Sequence, residues 1–394
     1  MTNKINLVFM GGFTYPHGMA GTKRIQNAIN ALKEYPDISI RVILQRQSSE
    51  HNILSGVHEG TPYETIMGDL FRSRMFVALP ILYYKTCTAL KKAFRPDDKN
   101  VIYFYGPLFF DSVVPLNYSR RLGYKIVFDI IEDYGLAKEV SRSFYGYLRG
   151  SLASFFSSRI KDLSGGIIVI SSHLQAKCRI FTQGKVPIHY MPISVDMEHF
   201  PEKPGRMKST VSLFYAGTFG KKDGLPVLLD AFDRLAERYK NLRLVLTGRG
   251  EREAMKEFSA RLEKSQYKDR IEYKGYLDDK DYYSLLNDSD IHCMTRVDLG
   301  YAHAGFPFKL GEFLATGKPV IASRVSDVDR FLVHKQNAML VQPGSSTEIC
   351  EAAEYLISKP ESAEAIGVQG RETARSFFDY KLQGKALLAF LENV

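Results

Sequence analysis

One stretch leaves this chain few choices: His303-Ala304-Gly305-Phe306-Pro307-Phe308-Lys309-Leu310-Gly311-Glu312-Phe313-Leu314-Ala315-Thr316-Gly317-Lys318-Pro319-Val320-Ile321-Ala322-Ser323. A Gly-Phe-Pro loop opens a short helix, Gly317 closes it, and Pro319 releases the chain into the apolar strand from Val320 to Ala322. Loop, helix and strand in such close succession belong to an α/β layer. A buried helix start presents unpaired N–H groups and a positive dipole end, which suits an anion. Glu312 stands about one turn inside that helix. Its carboxylate can accept two hydrogen bonds from a vicinal diol such as a ribose while the helix start holds a phosphate. Phosphate beside ribose reads as a nucleotide, although an ordinary helix–strand unit with a surface glutamate has the same spacing.

The rest of the chain repeats the strand–loop–helix theme. Lys4 to Met10 is an apolar strand followed by Gly11-Gly12-Phe13, a loop through Pro16, Gly18 and Gly21, and an amphipathic helix from about Thr22 to Leu32. The glycines are not spaced G-x-G-x-x-G, so a dinucleotide site is not expected. Strands are expected at Ile40–Leu44, Val101–Tyr105, Lys125–Ile131 and Gly165–Ser171. Carboxylates at the carboxyl ends of parallel strands point at the ligand crevice, which singles out Asp129 and Glu132; helix capping explains them as well. His173, at the end of the next strand, is a further candidate on the same ground, a structural histidine being the alternative.

Proline and glycine between Pro192 and Gly205 mark a domain boundary. A second α/β domain starts with the strand Leu213–Ala216, the loop Gly217-Thr218-Phe219-Gly220-Lys221-Lys222-Asp223-Gly224, and a helix from Leu225 to Tyr239. A glycine loop with two lysines ahead of a helix start is a diphosphate clamp. Strands follow at Arg243–Thr247, Ile271–Tyr276 and Ile291–Met294, and a last helix spans Lys381–Asn393. Asp288-Ser289-Asp290 and Asp327-Val328-Asp329 have the Asp-x-Asp form of a metal site, but each falls where capping explains it, so no metal and no cofactor is expected.

At 394 residues and 45% hydrophobic content the chain can fill two cores. Its four cysteines are scattered without a C-x-x-C pair, which argues against a disulfide framework or zinc and for a reducing compartment. No apolar run reaches the roughly 20 residues of a membrane-spanning helix, so a cytoplasmic protein is expected. The net charge of +9 is uneven: residues 1–200 carry 24 Lys and Arg against 16 Asp and Glu, residues 201–394 carry 29 against 28. A basic first half suits an anionic surface or acceptor. Nucleic acid is not expected, since no Lys/Arg cluster is interleaved with base-stacking aromatics. The segments 71–95 and 141–161 mix aromatic, aliphatic and basic residues in a way that suits the inner face of an anionic membrane, or core helices with solvated basic ends.

The stretch at 303–323 resembles the signature of family 4 retaining glycosyltransferases in the variant Phe-Pro-x-Lys-Leu-x-Glu, and the whole chain is similar to that family. Its motifs recur in order from Gly11 through Pro192-Ile193-Ser194-Val195-Asp196 to Glu312. The resemblance implies a GT-B fold: two Rossmann-like domains facing across a cleft, at 1–198 for the acceptor and 199–378 for the nucleotide sugar, with 379–394 a helix returning to the first. It implies a metal-independent, retaining hexosyltransferase that moves a sugar from a nucleoside-diphosphate sugar, UDP favoured and GDP second, to an acceptor hydroxyl of a glycan or lipid-linked acceptor, in cell-surface polysaccharide or lipid-linked glycan synthesis. The alternatives are a GT-B sugar-nucleotide epimerase working through Glu132 and Asp129, or a sugar-nucleotide-binding protein without catalysis. By resemblance Gly12, Arg24, Gly217, Thr218, Gly248 and the loop Gly305, Phe306, Pro307, Phe308 and Lys309 line the donor's phosphates and sugar. Tyr276 and Leu277 cradle the base, and Glu312 holds the ribose. Relatives carry an arginine and a lysine where Thr218 and Asp223 stand, so the diphosphate charge falls to Lys221 or Lys222. The family's first signature glutamate falls on Ala304.

Overall fold

The computed structural model describes residues 4–47, 53–68, 75–137 and 144–394. The chain divides into two compact units, Met1–Pro192 with Tyr380–Val394, and Ile193–Asp379.

The first unit begins with β1 (Ile5–Gly11), α1 (Ala20–Leu32), β2 (Ile38–Arg46), β3 (Ser55–His58), β4 (Thr61–Met67) and α2 (Met75–Ala93). It continues through β5 (Lys99–Tyr105), α3 (Phe110–Leu122), β6 (Lys125–Ile130), α4 (Tyr134–Ala137), α5 (Phe144–Ser157), α6 (Ile160–Leu163), β7 (Gly166–Val169), α7 (Ser172–Thr182) and β8 (Ile188–Tyr190). The eight strands form one sheet in the order β3-β4-β2-β1-β5-β6-β7-β8. Pairing is parallel except between β3 and β4. Leu7, Val8, Phe9 and Met10 of β1 are all fully buried. A strand covered on both faces reads as a continuous apolar run, and this is why β1 stands out in the sequence.

Of the two basic aromatic segments, residues 71–74 and 141–143 lie outside the described residues. In the remainder, Leu82 and Leu90 of α2 are buried, whereas Ile81 and Tyr84 are 50% and 74% exposed. Phe155 of α5 is 64% exposed. Among the described residues no helix is long and apolar enough to cross a membrane.

The second unit runs β9 (Val211–Gly217), α8 (Leu225–Arg238), β10 (Leu242–Gly248), α9 (Arg252–Glu263), β11 (Ile271–Tyr273), α10 (Asp279–Asp288), β12 (Ile291–Met294), α11 (Gly300–Ala304), α12 (Lys309–Ala315), β13 (Val320–Ser323), α13 (Val328–Phe331), β14 (Met339–Val341), α14 (Ser346–Ser358) and α15 (Pro360–Phe377). Its six strands are all parallel, in the order β11-β10-β9-β12-β13-β14. One core packs Leu213, Tyr215, Leu244 and Leu246 of the sheet against Leu228, Phe232 and Leu235 of α8. The final helix α16 (Tyr380–Asn393) returns to the first unit, where Leu387 and Leu391 enter the core beneath α1.

Candidate functional site

In parallel α/β sheets the loops leaving the carboxyl ends of the strands carry the polar chemistry. The second unit does this most strongly behind β9, at the loop that begins with Gly217. Asp223 is 3% exposed and accepts a hydrogen bond from Thr218 Oγ1 at 2.8 Å. Lys309 Nζ stands 3.7 Å from its Oδ1 and Arg296 Nε 4.0 Å. The same ammonium lies 4.6 Å above the ring of Tyr215, a fully buried residue whose hydroxyl has no hydrogen-bond partner among the described residues. A Cβ at Gly217 would fall 2.6 Å from both Lys309 Nζ and Tyr215 Oη, so a side chain there would displace one or both groups from this strand end.

The charges shift one another. Burial would raise the Asp223 carboxyl, but Lys309, Arg296, the Thr218 hydroxyl and Lys222 outweigh it and bring it down to about 2. Burial lowers the Lys309 ammonium below its ordinary value, and Asp223 opposes that change. The sequence expected Lys221 or Lys222 to supply the charge here. The Lys221 side chain is exposed, and Lys222 Nζ lies 5.3 Å over the Tyr301 ring. The cations nearest Asp223 are Lys309 and Arg296 instead. Arg296 was missed, although its place two residues beyond β12 falls under the strand-end rule that singled out Asp129.

Lys309 opens α12, and Glu312 lies in its first turn. With seven residues α12 is too short for its dipole to supply much field, so the side chain of Lys309 carries the positive charge. The surface-glutamate alternative fails, because Glu312 is only 9% exposed. Two successive tyrosines of α10 grip it: Tyr282 Oη donates to Oε2 at 2.7 Å and Tyr283 Oη to Oε1 at 3.1 Å. Burial and the Glu312 charge push both phenols up. Ala304, where the family's first glutamate falls, is fully buried. Phe306 is a core anchor rather than a ligand contact, with its ring edge-on to Phe331 at 5.7 Å and near Phe378 at 5.9 Å. Pro307 is buried behind it and Phe308 partly buried.

Gly248 ends β10, its N–H donating to Gly275 O at 2.8 Å. Tyr276 just beyond is 54% exposed, with the Arg249 guanidinium 4.9 Å over its ring, and Leu277 is partly buried. The Asp-x-Asp pairs are committed elsewhere. Asp290 accepts from the backbone of Lys208 and from the N–H and hydroxyl of Ser212, Asp288 pairs with Lys208, and Asp329 with Arg324.

The first unit corrects two expectations. Arg24 does not point at a phosphate: it is 1% exposed, and its guanidinium donates to Asp129 Oδ2 at 2.7 Å and Oδ1 at 3.0 Å, to Pro192 O at 2.7 Å and to Met191 O at 3.0 Å. Burial acts against its charge, yet Asp129 more than offsets this and raises its pKa. Asp129 is therefore not an acceptor-side group, since it is fully buried and also accepts from Tyr103 Oη at 2.7 Å. Gly12 is exposed just beyond β1, where its N–H donates to Tyr105 O at 2.8 Å. Glu132 is exposed. The carboxylate that meets His173 is Asp133, 3.3 Å from Nε2, with Lys177 Nζ at 2.6 Å from both its oxygens. Burial would raise the Asp133 carboxyl, but Lys177 and His173 bring it below its usual value.

Residues 196–373 match the family model described as Glycosyl transferases group 1. No curated protein matches the chain. Among solved structures, the chain is similar to sucrose-phosphate synthase from Thermosynechococcus elongatus, with a TM-score of 0.78, 15% identity, and 98% of each chain covered. It is similar to Anabaena HepE in complex with UDP-glucose, at 0.73 and 17% identity, covering 98% of this chain and 100% of that one. A UDP-forming trehalose-phosphate synthase from Burkholderia xenovorans gives 0.70 and 13%, with 99% of both covered. At these identities the likeness establishes the fold, which is that of the GT-B glycosyltransferases.

Proposed function

We propose that this chain is a glycosyltransferase that moves a hexosyl group with retention, and without a metal, from a nucleoside-diphosphate sugar to an acceptor hydroxyl. One observation carries the reading: a partly buried ammonium and a buried hydroxyl without a partner among the described residues meet over Gly217, three residues of α12 away from a buried carboxylate. Cation and donor suit a diphosphate, and the carboxylate suits a ribose. All of these residues lie within the span that matches the family model. Solved complexes of HepE with UDP and UDP-glucose favour a uridine donor.

In the reaction the bond from the sugar's anomeric carbon to the diphosphate breaks, and a bond to the acceptor oxygen forms on the same face. The acceptor's proton passes to the departing diphosphate oxygen. Lys309, Arg296 and the Tyr215 hydroxyl, joined from the loop by Lys222 and at longer range by Lys221, stabilise the charge that grows on that oxygen. Thr218 holds Asp223 in place among them. Gly217, Gly248 and the backbone of Gly305–Phe308 leave room for the donor, and Glu312 latches the ribose. Tyr276, beneath Arg249, and Leu277 face the base. On the acceptor side, Glu132 and the His173–Asp133 pair are the available polar groups.

The acceptor is a glycan or a lipid-linked glycan in cell-surface polysaccharide synthesis, met at the inner face of an anionic membrane. The basic first half and the exposed Ile81, Tyr84 and Phe155 support that location. Melting temperatures with uridine, guanosine and adenosine diphosphates test the donor site, since a ligand of the folded form raises Tm. Uridine diphosphate is expected to raise it, and Glu312→Gln to weaken that rise. No shift with any of the three, or a Glu312→Gln protein that responds like the parent, overturns the reading.

A further inference from the structure

Glu312 is read above as the ribose latch; what holds the latch has no counterpart in the sequence motif. Successive residues of a helix point about 100° apart, so two of them reach one carboxylate only when it sits between their directions. Tyr282 and Tyr283 do this, one hydroxyl on each oxygen of Glu312. A single donor would leave the carboxylate free to rotate about its terminal bond; two donors on two oxygens fix its plane. Tyr283 is fixed in turn. His199 stacks on its ring at 4.2 Å and 13°, and Phe200 meets it edge-on at 5.6 Å.

We infer that Tyr282 and Tyr283 are positioning residues that fix the plane of Glu312 toward the two hydroxyls of a ribose, so that the site selects ribonucleotides over 2′-deoxyribonucleotides. This rests on the donor-site reading above. Each carboxylate oxygen has two lone-pair directions, so an oxygen that accepts from a tyrosine can accept from a hydroxyl of the diol as well. A diol offers two donors at fixed separation, and only a carboxylate of fixed plane meets both. The phenols are raised by burial and by Glu312, so they stay donors at any working pH. Their two hydrogen bonds also spread the charge of Glu312, which the nucleotide's phosphates would otherwise repel.

Tyr282→Phe and Tyr283→Phe, singly and together, remove the hydroxyls and keep the rings. Binding of uridine diphosphate and 2′-deoxyuridine diphosphate is measured by calorimetry, with Tm in the absence of ligand as the check on folding. The parent is expected to prefer the ribonucleotide by about tenfold or more, one charge-assisted hydrogen bond's worth. The double variant should bring the ratio to within about threefold while its affinity for the deoxynucleotide stays near the parent's. If the double variant does not fold, each single variant still narrows the ratio. A ratio that the variants leave unchanged, or affinities that fall equally for both nucleotides, overturns the inference and leaves the donor site standing. A parent that binds neither nucleotide overturns the donor site itself.

Discussion

Two buried carboxylates, Asp129 near the end of β6 and Asp223 in the loop behind β9, have opposite surroundings. Asp129 shares both oxygens with the Arg24 guanidinium at 2.7 and 3.0 Å, and the backbone carbonyls of Pro192 and Met191 take two further donors. That pair is closed on itself. Around Asp223 the two cations stand off at 3.7 and 4.0 Å, and the Tyr215 hydroxyl beside them has no partner among the described residues. Ionic groups in tight mutual contact hold a fold together; the looser cluster, two cations to one carboxylate, is the one proposed above to meet a diphosphate. A strand-end carboxylate is thus no guide to function until its partners are known.

The largest effect belongs to the closed pair. Arg24→Met leaves Asp129 buried without its partner, and the loss of stability should be about 3–5 kcal/mol, read from urea unfolding. Nucleotide affinity of the folded protein should be unchanged. The contrast breaks if Arg24→Met keeps its stability and loses uridine diphosphate instead.

Next comes the open cluster. Lys309→Met should weaken uridine diphosphate binding by roughly 10- to 100-fold, the size of one lost charge-assisted contact, with a much smaller change in unfolding free energy than Arg24→Met. Titration calorimetry decides it, and an affinity within twofold of the parent would remove Lys309 from the site.

The Asp223 carboxyl supplies a pH test of the same cluster. Its folded value, about 2, lies below its ordinary 3.8, so the stabilisation is complete above about pH 4 and is lost as the pH falls toward 2. The loss should be about 2 kcal/mol. Asp223→Asn should flatten the urea midpoint across that window, and an equal fall in the variant would assign the acid sensitivity to other carboxylates.

The alternation of strands, glycine loops and helices was legible because each strand is an apolar run and each break is a local turn signal. The hairpin of β3 and β4 was not: Ser55–His58 is a short, largely exposed strand that carries no apolar pattern. Lys309 and Glu312 were legible for the same local reason, sharing one helix with the motif. Their partners were not, because Tyr282 and Tyr283 reach Glu312 from 30 and 29 residues away, and Arg24 reaches Asp129 across 105. Such pairs are made by topology, and a single sequence records only that both residues exist. The family pattern misled at Arg24 by supplying a role from the loop's neighbourhood, whereas the burial that decides the matter comes from the strands around it.

The smallest expected effect sharpens the contrast most. Lys221 and Lys309 are both lysines near the proposed diphosphate site, and the sequence favoured the loop residue. Lys221 is exposed, so its ammonium acts through water and salt; at 0.15 M ionic strength the screening length is about 8 Å. Lys309 acts from a partly buried position beside Asp223, where screening is weak. Lys221→Ala should therefore cost no more than about threefold in uridine diphosphate affinity at physiological salt. The cost should grow at low salt and vanish at high salt, while that of Lys309→Met persists across the whole salt series. Equal salt dependence for the two variants would mean that both lysines meet the nucleotide through solvent, and the distinction between a buried and an exposed cation at this site would be lost.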